Sequence, residues 1–184
     1  MHLLVRTVAK GGNLEINFGP TGDGHLAASM TAPLLGTGRW LGVNGAAIYG
    51  TRGFPFGTSI AECSADTANT TRVEKCYTVK GTTVYVIYMR WPQRADTTAP
   101  PGQARAIYLE HVVPTTATTV TLLSGNRGQG AALKHTYAGS RRRMKTAGAF
   151  VIHVPAFAPD TLGCDIDLCH SFVFAVSNVS LTPY

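Results

Sequence analysis

The sequence has no long apolar run and little charge. No stretch of apolar residues approaches the ~20 that a membrane-spanning helix needs, so we expect no membrane partner. Charged residues make up only 14% of the chain, whereas 45% of its residues are hydrophobic. This balance excludes an intrinsically disordered chain and predicts a globular protein with ample material for a core. Residues 1–10 are not a signal peptide, because their apolar core is too short and no small-residue cleavage site follows.

The sequence also lacks metal-ligand and nucleic-acid-binding motifs. The six His residues are scattered, and the spacing of Cys164, Cys169 and His170 is not a zinc signature, so we expect no metal and no cofactor. The net charge is +6, which on its own would suit a nucleic-acid partner. However, the dense basic run of the chain, Arg141 to Lys145, has no interleaved aromatic residues and lies in no known nucleic-acid motif. We interpret that run as a solvated loop and expect no nucleic-acid partner.

The four cysteines suit two local disulfides. The close spacings favour the pairs Cys63–Cys76 and Cys164–Cys169. Two N-glycosylation sequons begin at Asn69 and Asn178, and this motif, like a disulfide, is typical of secreted proteins. Together these features favour a protein made in the secretory pathway, although the N-terminus does not supply the signal peptide that this route requires.

The first 50 residues show a helix–strand–helix pattern. Leu3, Leu4 and Val8 recur at helical spacing, and Leu14–Phe18 is a predicted strand bounded by glycines. A second helical pattern runs from Leu26 to Asn44. A segment of this kind is one repeat of an α/β architecture rather than a whole domain. A lone strand would leave its backbone groups unsatisfied, so we expect residues 1–51 not to fold alone.

From about residue 51 the pattern changes to short strands. Two runs, 73–79 and 83–89, flank the turn dipeptide Lys80-Gly81 and predict a hairpin. The further predicted strands are 106–112, 118–123, 133–137, 149–154 and 172–181. Short strands separated by turn signals predict an antiparallel β-sandwich over residues 52–184, large enough to fold by itself. The second helix can pack on this sandwich through Trp40, Leu41 and Ile48.

Two motifs in the first 51 residues carry a family resemblance. The segment Lys10 to Gly24, KGGNLEINFGPTGDG, resembles the KGGNLLLNIGPxxDG stretch of the family 29 glycoside hydrolases, the α-L-fucosidases. Residues 38–51, GRWLGVNGAAIYGT, are similar to the GxWLxxNGEAIYGT stretch of that family. Order and spacing match without gaps over residues 2–51, and the later strands resemble the C-terminal sandwich of the family more loosely.

The resemblance implies a mostly β fold in two parts. Residues 1–51 would be the last, incomplete repeat of a (β/α)8 catalytic barrel, and residues 52–184 a C-terminal β-sandwich domain. The loop after the last barrel strand lies where barrel enzymes build their sites, so the resemblance makes Asn17, Gly19, Pro20 and Asp23 pocket-rim candidates. An alternative interpretation of Asp23 is a turn or helix-cap residue.

The resemblance also implies a function and a limit to it. The family releases L-fucose from glycoconjugates by a retaining mechanism with an Asp nucleophile and a Glu acid/base. No position in this sequence matches either carboxylate, so we expect no catalytic residue here and no activity of this chain alone. Fucosylated glycans would be partners through the barrel, a homo-oligomer is possible, and the full-length parent would be lysosomal or extracellular.

Other interpretations of the sequence stay open. Glu15 stands where the family pattern has Leu, and either replaces a carboxylate in the barrel mouth or is a tolerated polar residue. Trp91, at the end of a strong strand, is the candidate for contact with a carbohydrate. The alternative function is a non-catalytic carbohydrate-binding or interaction module.

Overall fold

The computed structural model describes residues 1–55, 63, 75–89, 105–109, 111–123, 130–138, 149–154 and 171–181. Its helices are α1 (His2–Ala9) and α2 (Ala28–Asn44), and α2 runs into a 3-10 turn at Gly45–Ala47. Its strands are β1 (Arg52–Gly53), β2 (Lys75–Lys80), β3 (Thr83–Tyr88), β4 (Arg105–Leu109), β5 (Val112–Leu122), β6 (Ala131–Ala132), β7 (Lys134–Ala138), β8 (Ala149–Val154) and β9 (Phe172–Leu181). The prediction of a mostly β, antiparallel fold with few helices is confirmed.

Within the described residues the strands form two antiparallel sheets. The large sheet has the order β1-β2-β3-β9-β5-β6, and the small sheet has the order β4-β8-β7. β2 and β3 form the predicted hairpin, whose turn places Gly81 at φ 57°, a left-handed conformation that glycine adopts without a steric penalty. The main core lies between the sheets and contains Val86, Phe174 and, from the small sheet, Ile152.

The large sheet is buried on both faces. Along β3, Val84 and Val86 belong to the core between the sheets, whereas Tyr85 and Ile87 belong to a second core on the opposite face. This alternation explains why the strand reads as apolar at almost every position, since a central strand covered on both sides needs apolar residues on both faces. The second core is the one that the helices share.

The helices cover the outer face of the large sheet. Val5 and Ala9 of α1 and Trp40 of α2 lie in the second core, together with Ala47 and Ile48. The expected packing of Trp40 and Ile48 on the sandwich is therefore confirmed. In α1, Val5 is fully buried, Leu4 and Val8 pack against the second core, and Leu3 is 61% exposed. The helix turns Val5 and Ala9 towards β1 and β2, its neighbours in the large sheet.

The predicted strand at Leu14–Phe18 is not formed. Residues 13–20 have no regular secondary structure, and the segment is largely exposed. A strand needs a hydrogen-bonded neighbour, and residues 13–20 are not paired with any of the described strands. Residues 1–51 thus provide two docked helices joined by a long loop, rather than a helix–strand–helix unit.

Candidate functional site

The candidate site is the loop between α1 and α2, which contains the rim candidates. Its best-defined part is a turn in which the amide of Gly24 donates to the carbonyl of Thr21 at 2.9 Å and the amide of Thr21 donates to that of His25 at 2.8 Å. Gly24 has φ 83°, which suits a residue without a Cβ. The turn gives the loop a local conformation that does not depend on contacts with the sandwich.

Asp23 is held by this turn. The Thr21 hydroxyl donates to one carboxylate oxygen, and Nδ1 of His25 lies 3.2 Å from the other. The hydrogen bond from the Thr21 hydroxyl, followed by that from its own backbone amide, lowers the pKa of Asp23 below its usual range. The carboxylate is thus kept ionised, and it remains 72% exposed, so it is accessible to a ligand as well as to water.

The other rim candidates lie on the same loop. Asn17, Gly19 and Pro20 are all exposed, and so is Glu15. Among the described residues, Glu15 and Asp23 carry the side-chain carboxylates, and neither lies in an enclosed site. A retaining glycosidase needs two carboxyl groups about 5 Å apart flanking the scissile bond. The described part of the chain supplies no enclosed pair of this kind.

The helix that follows the loop, α2, and the 3-10 turn after it are anchored to the large sheet. Nε1 of Trp40 donates to the backbone carbonyl of Ser171 at 2.9 Å, and both residues are fully buried. The hydroxyl of Thr78 in β2 donates to the carbonyl of Ala47 at 2.7 Å. Both bonds satisfy polar groups that would be costly to bury unpaired.

A close backbone approach fixes α1 on the same sheet. A Cβ added at Gly53 in β1 would lie 2.7 Å from the carbonyl oxygen of Ala9, the last residue of α1. Only glycine fits at this position without a shift of the helix. Nothing in the local sequence marks Gly53, Thr78 or Ser171 as anchors, since each is an ordinary strand or loop residue until its distant partner is known.

The other candidate residues lie away from this loop or outside the described part of the chain. Cys63 and Cys76 form a disulfide with a Cα–Cα distance of 4.7 Å, and both are fully buried in the second core. Asn178 is exposed on β9. The pair Cys164–Cys169, Asn69, Trp91 and the basic run 141–145 lie outside the described residues.

The described part of the chain contains no group of three His, Cys, Asp or Glu side chains that could hold a metal ion. Among the helices described, none is both long enough and apolar enough to cross a membrane.

Comparison with known proteins identifies relatives of this chain. Residues 1–46 match the model of the alpha-L-fucosidase family, the part of the chain that contains both helices and the loop. The chain is 36% identical to tissue alpha-L-fucosidase of Homo sapiens over 120 residues, which is 65% of this chain and 22% of that protein. It is 38% identical to plasma alpha-L-fucosidase of Pongo abelii over 104 residues, 56% of this chain and 20% of that protein. The chain thus spans about a fifth of the length of these relatives.

Solved structures extend the likeness to the whole fold. An alpha-fucosidase of Thermotoga maritima, in complex with a mechanism-based inhibitor, matches with a TM-score of 0.61 and 27% identity, over 96% of this chain and 33% of the other. The alpha-L-fucosidase of Vibrio sp. strain EJY3 matches over 99% of this chain and 27% of the other, with a TM-score of 0.67. At 18% identity this second match shows the fold alone. The chain is thus similar to one part of the alpha-L-fucosidases, with residues 1–46 matching the family model and the fold matching about a third of a solved relative.

Proposed function

We propose that this chain is the C-terminal part of an enzyme that releases L-fucose from fucosylated glycans. Residues 1–51 act as the last repeat of its catalytic barrel, and residues 52–184 act as the sandwich that supports this repeat. The catalytic carboxylates belong to a part of the enzyme outside this sequence, so the isolated chain is catalytically inactive. The parent protein would be lysosomal or extracellular.

The observation that carries the proposal is the anchored loop. The family match covers residues 1–46, and the structure docks the helices on both sides of the loop against the large sheet through Val5 and Trp40. The loop between them carries Asn17, Gly19, Pro20 and Asp23 in exposed positions. Anchoring both ends limits the positions that the loop can adopt, which is what a rim beside a substrate pocket requires.

In this arrangement Asp23 contributes a fixed negative charge and hydrogen-bond acceptors. Its carboxylate is oriented by the Thr21 hydroxyl, and the same hydrogen bond lowers its pKa and so favours the ionised form. An ionised carboxylate is an acceptor for sugar hydroxyls. We propose that Asp23 and Asn17 contact the sugar or its leaving group at the pocket rim and take no part in bond cleavage.

A graft into an active relative tests this proposal. The matching region of human tissue α-L-fucosidase is replaced by this complete chain, and hydrolysis of an aryl α-L-fucoside is measured. We expect the graft to be active and the isolated chain to be inactive. Asn17→Ala in the active graft should raise KM more than it lowers kcat, because a rim contact binds the substrate without entering the chemical step.

A second graft separates the two parts of the chain. It carries residues 52–184 only and keeps the last barrel repeat of the relative. If this graft is active and the complete graft is folded but inactive, residues 1–51 do not support a catalytic site and the rim proposal fails. Turnover by the isolated, pure chain would contradict the assignment of the catalytic carboxylates to another part of the enzyme.

A further inference from the structure

A polar cluster surrounds Asn178 where β5 and β9 lose their regular register. The pairing of the two strands shifts between Pro114 and Thr119, which leaves residues 115–118 as a bulge opposite Asn178. The Asn178 backbone carbonyl accepts from the hydroxyls of Thr115 and Thr118, at 2.8 and 2.7 Å. This double acceptance orients the backbone of Asn178 firmly in the bulge.

Asn178 has a left-handed backbone conformation, and its side chain contacts the bulge of β5. Its φ is 58°, in the left-handed region that Asn tolerates better than most residues. Nδ2 of Asn178 donates to the carbonyl of Ala117 at 3.1 Å. A primary amide nitrogen carries two hydrogens, so this bond occupies one and leaves the second for another partner or a substituent.

The neighbouring positions complete a modification motif at an accessible place. Asn178 and Ser180 are exposed, while Val179 between them is buried with 4% exposure. β9 is paired with β3 as far as Val176, and beyond it the amide of Val179 donates to the carbonyl of Thr82 in the β2–β3 turn at 3.0 Å. The sequence Asn-Val-Ser is the acceptor motif for N-linked glycosylation, and the structure presents its acceptor and its hydroxyl residue to solvent.

The buried disulfide indicates that the chain is made in the compartment where N-linked glycans are added. Cys63 and Cys76 are fully buried and bonded, a state that an oxidising compartment such as the lumen of the endoplasmic reticulum provides. That compartment also holds the oligosaccharyltransferase and its lipid-linked sugar donor. A chain that acquires this disulfide during synthesis therefore passes the enzyme that recognises the sequon.

We propose that Asn178 is a site of N-linked glycosylation. Nδ2 forms a bond to C1 of the first sugar of a polyprenyl-diphosphate-linked oligosaccharide, the bond from C1 to the diphosphate oxygen breaks, and Nδ2 loses one proton while the polyprenyl diphosphate leaves. The product is a secondary amide with one remaining N–H. That hydrogen maintains the bond to the Ala117 carbonyl, so the glycan is accommodated without loss of the bulge.

The test uses the complete chain, secreted from a eukaryotic cell behind an added leader peptide, in an Asn69→Gln background. The sequence contains two N-glycosylation sequons, so removal of Asn69 leaves only the sequon at Asn178. We expect a glycan that an N-glycosidase removes with conversion of Asn178 to aspartate, detected by peptide mass spectrometry. Secreted and cell-associated chains are both analysed, so retention in the cell cannot hide the result.

Two variants of Ser180 separate glycosylation from folding. Ser180→Ala should abolish the glycan and Ser180→Thr should retain it, while both leave Asn178 and its hydrogen bonds in place. An oxidised chain with an unmodified Asn178 in both cell fractions would overturn the proposal, as would a glycan that persists in Ser180→Ala.

Discussion

Replacement of Trp40 by Ala should separate the helices from the sandwich. Trp40 is fully buried in the second core, and its Nε1 donates to the carbonyl of Ser171 at 2.9 Å. Loss of a buried Trp side chain costs about 3–5 kcal/mol from lost contacts and the residual cavity. Trp40→Phe retains most of the packing but leaves the Ser171 carbonyl without this donor, which costs about 1–3 kcal/mol. The two variants therefore divide the stabilisation between packing and hydrogen bonding.

The assays are urea and thermal unfolding of the complete oxidised chain, combined with amide exchange. For a protein of this size each kcal/mol shifts the midpoint of thermal unfolding by about 2–4 °C, so Trp40→Ala should lower it by roughly 6–20 °C. Amides of α2 should lose protection before those of β3, because β3 keeps its neighbours β2 and β9. Amides at residues 13–18 should exchange rapidly even in the unmodified chain, since they have no regular secondary structure.

A matched control lies on the same helix. Leu35 is 57% exposed, so Leu35→Ala should change the free energy of unfolding by no more than about 0.5 kcal/mol. If Trp40→Ala proves as mild as Leu35→Ala, the helices do not depend on this contact and the anchored-loop argument fails. Strong protection of residues 13–18 in a monomeric chain would also contradict the structure, so mass in solution is measured in parallel.

Three further predictions concern other parts of the chain. Gly53→Ala should destabilise the chain by about 1–3 kcal/mol in urea unfolding, because the added Cβ meets the backbone of α1. The control Gly38→Ala, with open space around the added Cβ, should be neutral or stabilising by up to about 1 kcal/mol. Equal effects of the two substitutions would contradict the close approach of α1 to Gly53. Thr21→Val should raise the pKa of Asp23 in an NMR titration, since it removes the hydrogen bond that lowers this pKa most. Because the pKa of Asp23 is lower in the folded chain, the stabilisation of the turn by its carboxylate is present above the ordinary Asp pKa and is lost as pH falls through the pKa of the folded state. An unchanged pKa of Asp23 in Thr21→Val would exclude the hydrogen bond from the Thr21 hydroxyl as the cause. Peptide mapping without reduction should show a second disulfide, Cys164–Cys169, and free thiols at these positions would refute that pairing.

Local patterns in the sequence were sufficient to predict most of the sandwich. The hairpin at Lys80-Gly81 and strands β8 and β9 follow the predicted bounds closely, because strand alternation and turn residues act over a few neighbouring positions. The loop motif also predicted the resemblance to the alpha-L-fucosidases, whose family model matches residues 1–46, since the glycines and the Asn-x-Gly-Pro spacing lie within one short segment. These features depend on residues close together in the chain.

Contacts between distant segments required the tertiary structure. β9, the last strand described, lies between β3 and β5 in the middle of the large sheet, and Trp40 bonds to a carbonyl 131 positions away. The same helical period allows either Leu3 or Val5 to face inward, and only the position of β1 and β2 makes Val5 the buried residue.

The segment Leu14–Phe18 shows the difference most directly. The sequence contains a segment in which apolar and polar residues alternate between glycines, a pattern that suits a strand. Whether a strand forms depends on a neighbouring strand to receive its backbone hydrogen bonds, and the described sheets place none beside it. Periodicity determines which conformations a segment favours, whereas the free energy of burial and hydrogen bonding across the whole fold decides which of them is formed.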